Sequence, residues 1–214
     1  MAAFGFRPVR YQNGSPWNGA TVRVGALAAT GNLFVGDAVV MDGTATTSTV
    51  DGAILSNVVA AGTGAASPAY GIITSVIATV GVPNLNIVYG PTGTYRELLV
   101  ALCEPSLILE TTSATAMIVT GGAATALQGF MFQMAAGAGN TTTGVSGHSL
   151  TGAGAATPLP WWFVGVKNEG QNLATVGSVV ANTTVISTAA TPTIIEVACV
   201  APQMGMAILS VGVT

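Results

Sequence analysis

The sequence predicts an all-β protein: an antiparallel sandwich or barrel-like module with many short strands, an extended N-terminal arm and little helix. Short apolar runs rich in Val, Ile and Thr alternate with Gly, Asn, Asp and Pro, which is typical of strands joined by tight turns. The strong helix formers Lys, Glu, Gln and Arg are scarce. At 214 residues, the chain can bury a sizeable core without a disulfide or a metal ion.

Charge is the strongest anomaly of the composition. Half of the residues are apolar and only 6% are charged, whereas about 25% are charged in ordinary soluble proteins. A net charge of −3 from so few groups gives weak repulsion between copies of the chain. We therefore expect other subunits to cover much of the surface.

The same scarcity limits the classes of partner. The five basic residues are scattered between Arg7 and Lys167 and do not form the clustered face that binds nucleic acid. No window holds the ~20 apolar residues of a membrane helix, because Gly, Pro, Thr, Asn and Ser interrupt the long apolar stretches. Residues 1–7 contain no hydrophobic signal core, which predicts synthesis and assembly in a cytosol. We expect neither a nucleic-acid nor a membrane partner.

The first of three expected segments is an extended N-terminal arm over residues 1–19. Phe4, Phe6, Val9 and Tyr11 are spaced as one face of an extended or docking segment, and dense turn chemistry follows them. Two alternatives stay open for this segment. It is either a solvated, partly ordered terminus or an arm that packs on a neighbouring subunit.

The second segment, residues 20–167, is expected to be the main β domain, with a loop rich in Gly, Ala and Thr at 135–158. Arg96 and Glu97 stand together in an apolar run, which indicates a strand between packed and wet surfaces. The candidate strands lie at Ala20–Leu27, Leu33–Met41, Ala53–Ala60, Tyr70–Val80, 85–89, 95–102, 106–110, 116–120, 126–134 and 160–166.

The third segment, residues 168–214, is expected to be a C-terminal β segment that packs on the main domain or on a neighbour. Its candidate strands lie at 193–200 and 204–213. The densest aromatic cluster of the chain stands just before this segment, at Trp161 and Trp162. Adjacent residues of a strand point to opposite faces, so we expect one tryptophan in the core and the other at an interface.

No residue pattern points to catalysis or to a cofactor. His148 is the only histidine, and a serine hydrolase would need a further histidine as its base beside the Gly-x-Ser-like run 147–152. A zinc site would need several converging ligands. Cys103 and Cys199 lie in apolar runs and are expected to be buried free thiols, with a disulfide only if their strands are neighbours.

The carboxylates are expected to cap turns or to form rim salt bridges with Arg96. Their spacing does not suggest the paired acids of a hydrolase. A weak Ca²⁺ site at the turns that hold Asp37, Asp42 and Asp51 stays open as an alternative.

Several stretches stand in order along the chain: Phe4-Gly5-Phe6-Arg7-Pro8-Val9-Arg10-Tyr11, Asn13-Gly14, Trp17-Asn18-Gly19-Ala20, Val35-Gly36-Asp37-Ala38-Val39, Tyr70-Gly71-Ile72-Ile73, Tyr95-Arg96, Leu99-Val100-Ala101 and Leu107-Ile108-Leu109-Glu110. In this order they resemble virion structural proteins of tailed bacteriophages, and among these the capsid decoration (cementing, or head stabilisation) proteins. The resemblance covers about residues 4–167.

The resemblance implies a non-enzymatic β-rich module on the outer capsid surface, commonly a homotrimer, with the major capsid protein as partner and no cofactor. Such a module stabilises the shell by bridging capsid subunits. Buried aromatic residues tend to dominate interfaces, and arginines can pair with acidic groups of the shell. The candidate interface residues are Phe4, Phe6, Arg7, Arg10, Tyr11, Trp17, Arg96, Trp161 and Trp162.

Two other functions share this composition. The first is a different virion component, such as a tail, fibre or capsid subunit, although the chain lacks the long helix and charged segments expected of a major capsid protein. The second is a carbohydrate-binding β module that uses Trp161 or Trp162 to stack on a sugar ring.

Overall fold

A computed structural model describes residues 4–26, 31–62, 68–77, 88–112, 117–120, 131–155, 159–166, 179–180, 183–187 and 194–200. These residues form sixteen strands and no helix, which confirms the all-β prediction. They are organised as a closed barrel, a nine-stranded sheet and a two-stranded ribbon. The predicted strand at 204–213 and residues 85–87 of the predicted strand at 85–89 lie outside the described residues.

The barrel is formed by five strands in the order β2-β5-β4-β6-β8, and it closes where β8 pairs antiparallel with β2. Only the β2–β5 pair in the barrel is parallel. The two-stranded ribbon consists of β3 and β7, which lie between barrel strands in the sequence. The strands are β2 (Val22–Ala26), β3 (Leu33–Phe34), β4 (Ala38–Thr47), β5 (Ile54–Ala60), β6 (Gly71–Ile77), β7 (Tyr89–Gly90) and β8 (Arg96–Leu102).

The nine-stranded sheet has the order β1-β9-β16-β13-β11-β12-β10-β15-β14. All of its pairs are antiparallel except β10–β12. The strands are β1 (Arg7–Tyr11), β9 (Leu107–Thr112), β10 (Met117–Thr120), β11 (Met131–Ala135), β12 (Ser149–Ala155), β13 (Trp161–Val166), β14 (Val179–Val180), β15 (Thr183–Ser187) and β16 (Ile194–Cys199).

The barrel strands contribute to two cores because successive residues of a strand point to opposite faces. On β6, Ile73 belongs to the cluster inside the barrel, whereas Ile72 belongs to a cluster shared with the sheet. Val100 and Ala101 on β8 divide in the same way. The shared cluster also contains Trp161, so the outer wall of the barrel packs directly on the nine-stranded sheet.

One predicted boundary needs correction. The loop expected at 135–158 is shorter, because β11 extends to Ala135 and residues 149–155 form β12. Small residues can pair in a sheet through backbone hydrogen bonds alone, and Leu150 anchors this strand in the core with 0% exposure. The segment 168–214 is expected to pack on the main domain or on a neighbour, and its strand β16 pairs with β9 on one side and with β13 on the other.

Candidate interface site

The first strand, β1, forms one edge of the nine-stranded sheet by pairing with β9. Arg7 lies opposite Glu110 and Arg10 lies opposite Ile108, with a β-bulge between Pro8 and Arg10. In a regular strand, residues three positions apart point to opposite faces. The extra residue, Val9, shifts this alternation, so both arginines lie on the same face of the sheet.

These arginines neutralise a pair of acidic residues. Glu110 on β9 lies directly opposite Glu196 on β16, and like charges in that position are destabilising. Arg7 Nη2 pairs with Glu110 Oε2. Arg10 reaches across β9, with Nη2 2.7 Å from Glu196 Oε2 and Nε 3.3 Å from Oε1. This hydrogen bonding raises the pKa of Arg10. Two ion pairs therefore fasten the edge strand to the sheet.

A shallow cleft lies beside these pairs. The strand registers place Arg10, Ile108, Ala198 and Trp162 in one row across β1, β9, β16 and β13. The cleft has a volume of about 300 Å³, and Trp162 is half-buried in it. The Arg10 side chain is 36% exposed. The lining residues are Arg10, Gln12, Ile108, Trp162, Phe163 and Val164.

The opposite face of the same strands is core, which corrects the prediction for two candidate interface residues. Phe6 and Trp161 are 2% and 1% exposed, and their rings stack with centroids 4.4 Å apart. The Phe6 N–H donates to the Gly36 carbonyl oxygen at 2.8 Å, which anchors the segment against the barrel. Gly5 has a φ of 75°, and a Cβ there would clash with Gly36, so the close approach requires glycine.

The remaining aromatic candidates, Phe4, Tyr11 and Trp17, are half-buried. The Arg7 guanidinium lies 5.4 Å from the centroid of the Phe4 ring, within cation–π range. The backbone N–H of Trp17 donates to the Val9 carbonyl oxygen at 3.0 Å, so the chain folds back along the outer edge of β1. Tyr11 and Trp17 then pack against the shared core and line a second cleft of about 90 Å³.

Residues 4–19 are therefore folded onto their own chain, and packing of this segment on a neighbour stays a prediction. Trp161 and Trp162 do divide between core and surface, as strand alternation predicts. The prediction that Arg96 is an interface residue is wrong. Only 6% of the residue is exposed, so its side chain cannot reach an acidic group of a partner. Among the described residues, Arg7, Arg10 and Arg23 form salt bridges with carboxylates.

A third arginine, Arg23, forms an ion pair at the rim of the barrel. Arg23 Nη2 lies 2.6 Å from Asp51 Oδ2, and Arg23 Nη1 lies 3.7 Å from the buried Glu97 Oε2. The hydrogen bond from Arg23 is the main reason that the pKa of Asp51 falls to about 2. Glu97 Oε1 also accepts from the Ser48 hydroxyl at 2.7 Å. The group closes the turn between β4 and β5.

A buried polar contact joins the 136–148 loop to the barrel. His148 Nε2 lies 3.6 Å from Asp37 Oδ1, and His148 Nδ1 accepts from the Ala38 N–H at 3.3 Å. Asp37 Oδ2 accepts from the Phe34 N–H at 2.8 Å. Burial raises the pKa of Asp37 and lowers the pKa of His148.

Together with Ser146, this contact contains the residue types of a catalytic triad, but the residues are not accessible to a substrate. Ser146 hydrogen-bonds Asp37 rather than the imidazole, and its hydroxyl oxygen accepts from the backbone N–H of His148 at 2.9 Å. All three residues are between 1% and 3% exposed, so no substrate reaches them. We assign the contact a structural role. Sequence reasoning missed it because the partners lie far apart in the chain, and the Val35–Val39 turn gave no signal for a histidine.

The described residues contain no group of three or more His, Cys, Asp or Glu side chains that could hold a metal ion. Asp42 and Asp51 instead accept hydrogen bonds from backbone N–H groups two residues further on, at 2.8 Å from Thr44 and 3.1 Å from Ala53. Asp37 is engaged with His148 and Phe34. The Ca²⁺ alternative therefore has no converging ligands in the part of the chain that the structure describes.

Comparison with known proteins gives no match: no family model, no curated protein and no solved structure matches the chain. Within the described ranges, no helix has the length and apolar character needed to span a membrane.

Proposed function

We propose that the protein is a non-enzymatic virion structural subunit that binds the outside of a phage capsid and stabilises the shell by bridging major capsid subunits. The proposal rests on the sequence resemblance and on one observation, the scarcity of free charge among the described residues. Among the described charged side chains, only Asp42 and Glu104 are neither buried nor in an ion pair. An isolated soluble protein normally depends on such charges to remain separate from its neighbours.

The cleft between Arg10 and Trp162 is the contact surface that we propose on this chain. Arginine and tryptophan are enriched among the residues that dominate binding energy. Here the ion pair to Glu196 holds the guanidinium in place, so little side-chain freedom remains to be lost on binding. The planar face of Arg10 and the exposed part of Trp162 suit an apolar or aromatic side chain of a capsid subunit or of a second copy.

The experiment that tests this function is electron cryomicroscopy of the particle that carries the protein. We expect density on the outer shell at junctions between capsid subunits, with the Arg10–Trp162 cleft against a neighbour. Density in a tail ring, in a fibre or in the continuous shell would keep a virion role and overturn the decoration mechanism. Absence of the protein from purified particles would overturn both.

Binding variants test the contact surface separately. Trp162→Ala should lower the affinity for capsids about thirtyfold or more, because hot-spot truncations cost at least about 2 kcal/mol of binding. Trp17→Ala should also weaken binding without unfolding the chain if the arm contacts a neighbour, and loss of the fold would place Trp17 in the core. Ile54→Ser is the matched control, because Ile54 is exposed on the barrel and not on this face.

The cleft also favours carbohydrate binding as a second candidate function. A half-buried indole with Arg10 and Gln12 nearby offers a stacking face and hydrogen-bond donors to a sugar ring. Trp161 is excluded from this role by its burial. The test is a glycan array probed with the isolated protein. Binding that disappears in Trp162→Ala and persists in Ile54→Ser would support this function.

A further inference from the structure

The two cysteines of the chain lie where its two large bodies meet. Cys103 follows the last residue of β8, a barrel strand, and Cys199 is the last residue of β16 in the nine-stranded sheet. A tight turn, closed by the Leu107 N–H donating to the Glu104 carbonyl oxygen at 3.0 Å, connects β8 to β9. Because Ala198 pairs with Ile108, the end of β16 comes alongside this turn.

The turn thereby brings the two thiols together. The Cys103 thiol hydrogen-bonds to the Cys199 thiol, and both side chains belong to the core shared by barrel and sheet. Cys103 is 4% exposed and Cys199 is 0% exposed. The Cys103 N–H donates to the Tyr70 carbonyl oxygen at 2.9 Å, which fixes the residue against β6. Both cysteines are in the free thiol form.

We propose that Cys103 and Cys199 are the site of an intrachain disulfide that forms by exchange with a small disulfide such as oxidised glutathione. One thiolate attacks the glutathione disulfide and releases one reduced glutathione. The second thiolate then attacks the mixed disulfide and releases another. In total, the two protein thiols lose two electrons and two protons, and one glutathione disulfide becomes two thiols. This inference is independent of the proposed virion role.

The native environment makes this exchange slow. The hydrogen bond to Cys199 and burial both raise the pKa of Cys103 well above its usual value, so little of the nucleophilic thiolate exists at neutral pH. Neither sulfur is open to a bulky oxidant in the closed structure. Oxidation therefore proceeds when the 103–107 turn opens, or during folding before the shared core closes.

The bond would link the barrel covalently to β16 of the sheet. It closes a loop of roughly 100 residues, and a crosslink restricts the unfolded chain more as the loop becomes longer. We expect the oxidised form to unfold at a midpoint temperature about 5–15 °C above that of the reduced form. Reduction should reverse this shift.

The experiment compares the full chain refolded in oxidised glutathione with the chain refolded in excess reductant. After denaturation and alkylation, we expect the oxidised sample to carry no alkyl group and to yield a Cys103–Cys199 crosslinked peptide by mass spectrometry. Native protein mixed with the same oxidant should react at least about tenfold more slowly than the refolding chain. Since the chain has only two cysteines, no other intrachain pairing competes.

The controls separate contact from general reactivity. Cys103→Ser and Cys199→Ser should each take up one glutathione or remain alkylatable, and neither should show the rise in midpoint temperature. The proposal is overturned if the wild-type chain stays fully alkylatable after oxidative refolding. It is equally overturned if only disulfide-linked dimers or singly glutathionylated chains form, because adjacent thiols would close the intrachain bond first.

Discussion

The barrel and the nine-stranded sheet deal with their strand edges in different ways. The barrel closes on itself through the β2–β8 pair, so its strands leave no open edge. Its rim charges, Arg23 and Asp51, close a turn and do not hold a strand in place. The sheet is open, and its β1 edge is fastened by two ion pairs, a stacked aromatic pair and the returning 12–17 segment.

This difference explains where a chain with few charges places them. An exposed edge strand can pair with other chains, and charges, bulges and covering segments are common protections against this. All three protections occur at β1. A bulge puts the charged residues Arg7 and Arg10 on one face of the sheet. The covering segment is held by the backbone N–H of Trp17, which donates to the Val9 carbonyl oxygen on the outer side of the strand. The closed barrel needs no such protection, and its interior cluster is formed by apolar residues.

Breaking the aromatic anchor of the edge strand should have the largest effect. Trp161→Ala removes the ring that stacks on Phe6 and leaves a cavity in the shared core. We expect the free energy of unfolding to fall by about 3–5 kcal/mol in urea titrations. Trp162→Ala is the matched control on the other face and should cost less than about 2 kcal/mol. Equal losses for the two variants would contradict the assignment of Trp161 to the core.

The ion pairs of the edge strand should matter more than the pair at the barrel rim. Arg7→Ala leaves the buried Glu110 opposite Glu196 without its cation, so we expect a loss of about 1–2 kcal/mol. Arg23→Ala should cost less, because solvent screens the charge of Asp51, and the buried Glu97 lies 3.7 Å from Arg23 and keeps its hydrogen bond from the Ser48 hydroxyl. Adding Glu110→Gln to Arg7→Ala should restore part of the loss. If the double variant is less stable than Arg7→Ala, charge opposition is not the cause.

The sequence predicted most of what depends on local pattern. Short apolar runs located β2, β5, β6 and β8 to within a few residues, because one face of each strand is buried and the turns carry Gly and Asp. Because Trp161 and Trp162 are adjacent on a strand, the sequence alone predicted that one lies in the core and the other at the surface. The strand β12 was missed because its small residues do not form the run of large apolar side chains by which strands are recognised in a sequence.

Features that depend on long-range register were not predictable. The bulge at Val9 exists only relative to β9, and without it the spacing of Arg7 and Arg10 suggests opposite faces. The opposition of Glu110 and Glu196 requires knowing that β16 enters the sheet beside β9. For the same reason, the arginines were expected to pair with a partner's acids, whereas Arg7 and Arg10 pair within the chain.

Acidification should weaken the contact between the 136–148 loop and the barrel. Burial lowers the pKa of His148 below its unfolded value of about 6.5, so the unfolded chain binds the proton more readily. Stability is therefore lost as pH falls from about 6.5 through the folded pKa, by at most about 1.4 kcal/mol per pH unit. Asp37 acts oppositely, because its raised pKa makes the folded state less stable as pH rises from about 3.8.

The measurement is chemical denaturation between about pH 5 and pH 7, in the wild type and in His148→Gln. We expect the loss of stability on acidification in the wild type and a flatter profile in the variant. Asp37→Asn with His148 retained removes the carboxylate whose charge raises the pKa of His148, so its loss between about pH 7 and pH 5 should be steeper than that of the wild type. A wild-type profile as flat as that of His148→Gln would show that the folded imidazole accepts its proton freely.

The smallest effect on stability is expected at the exposed start of β5. Ile54 is 79% exposed at the end of the β4–β5 hairpin, so Ile54→Ser should change the free energy of unfolding by no more than about 0.5 kcal/mol. Its effect on association is a separate readout in sedimentation with capsids. If Ile54→Ser lowers capsid occupancy while Trp162→Ala does not, the contact surface is the barrel hairpin. The edge of the open sheet would then be protected only against unwanted pairing, and the closed barrel would carry the partner.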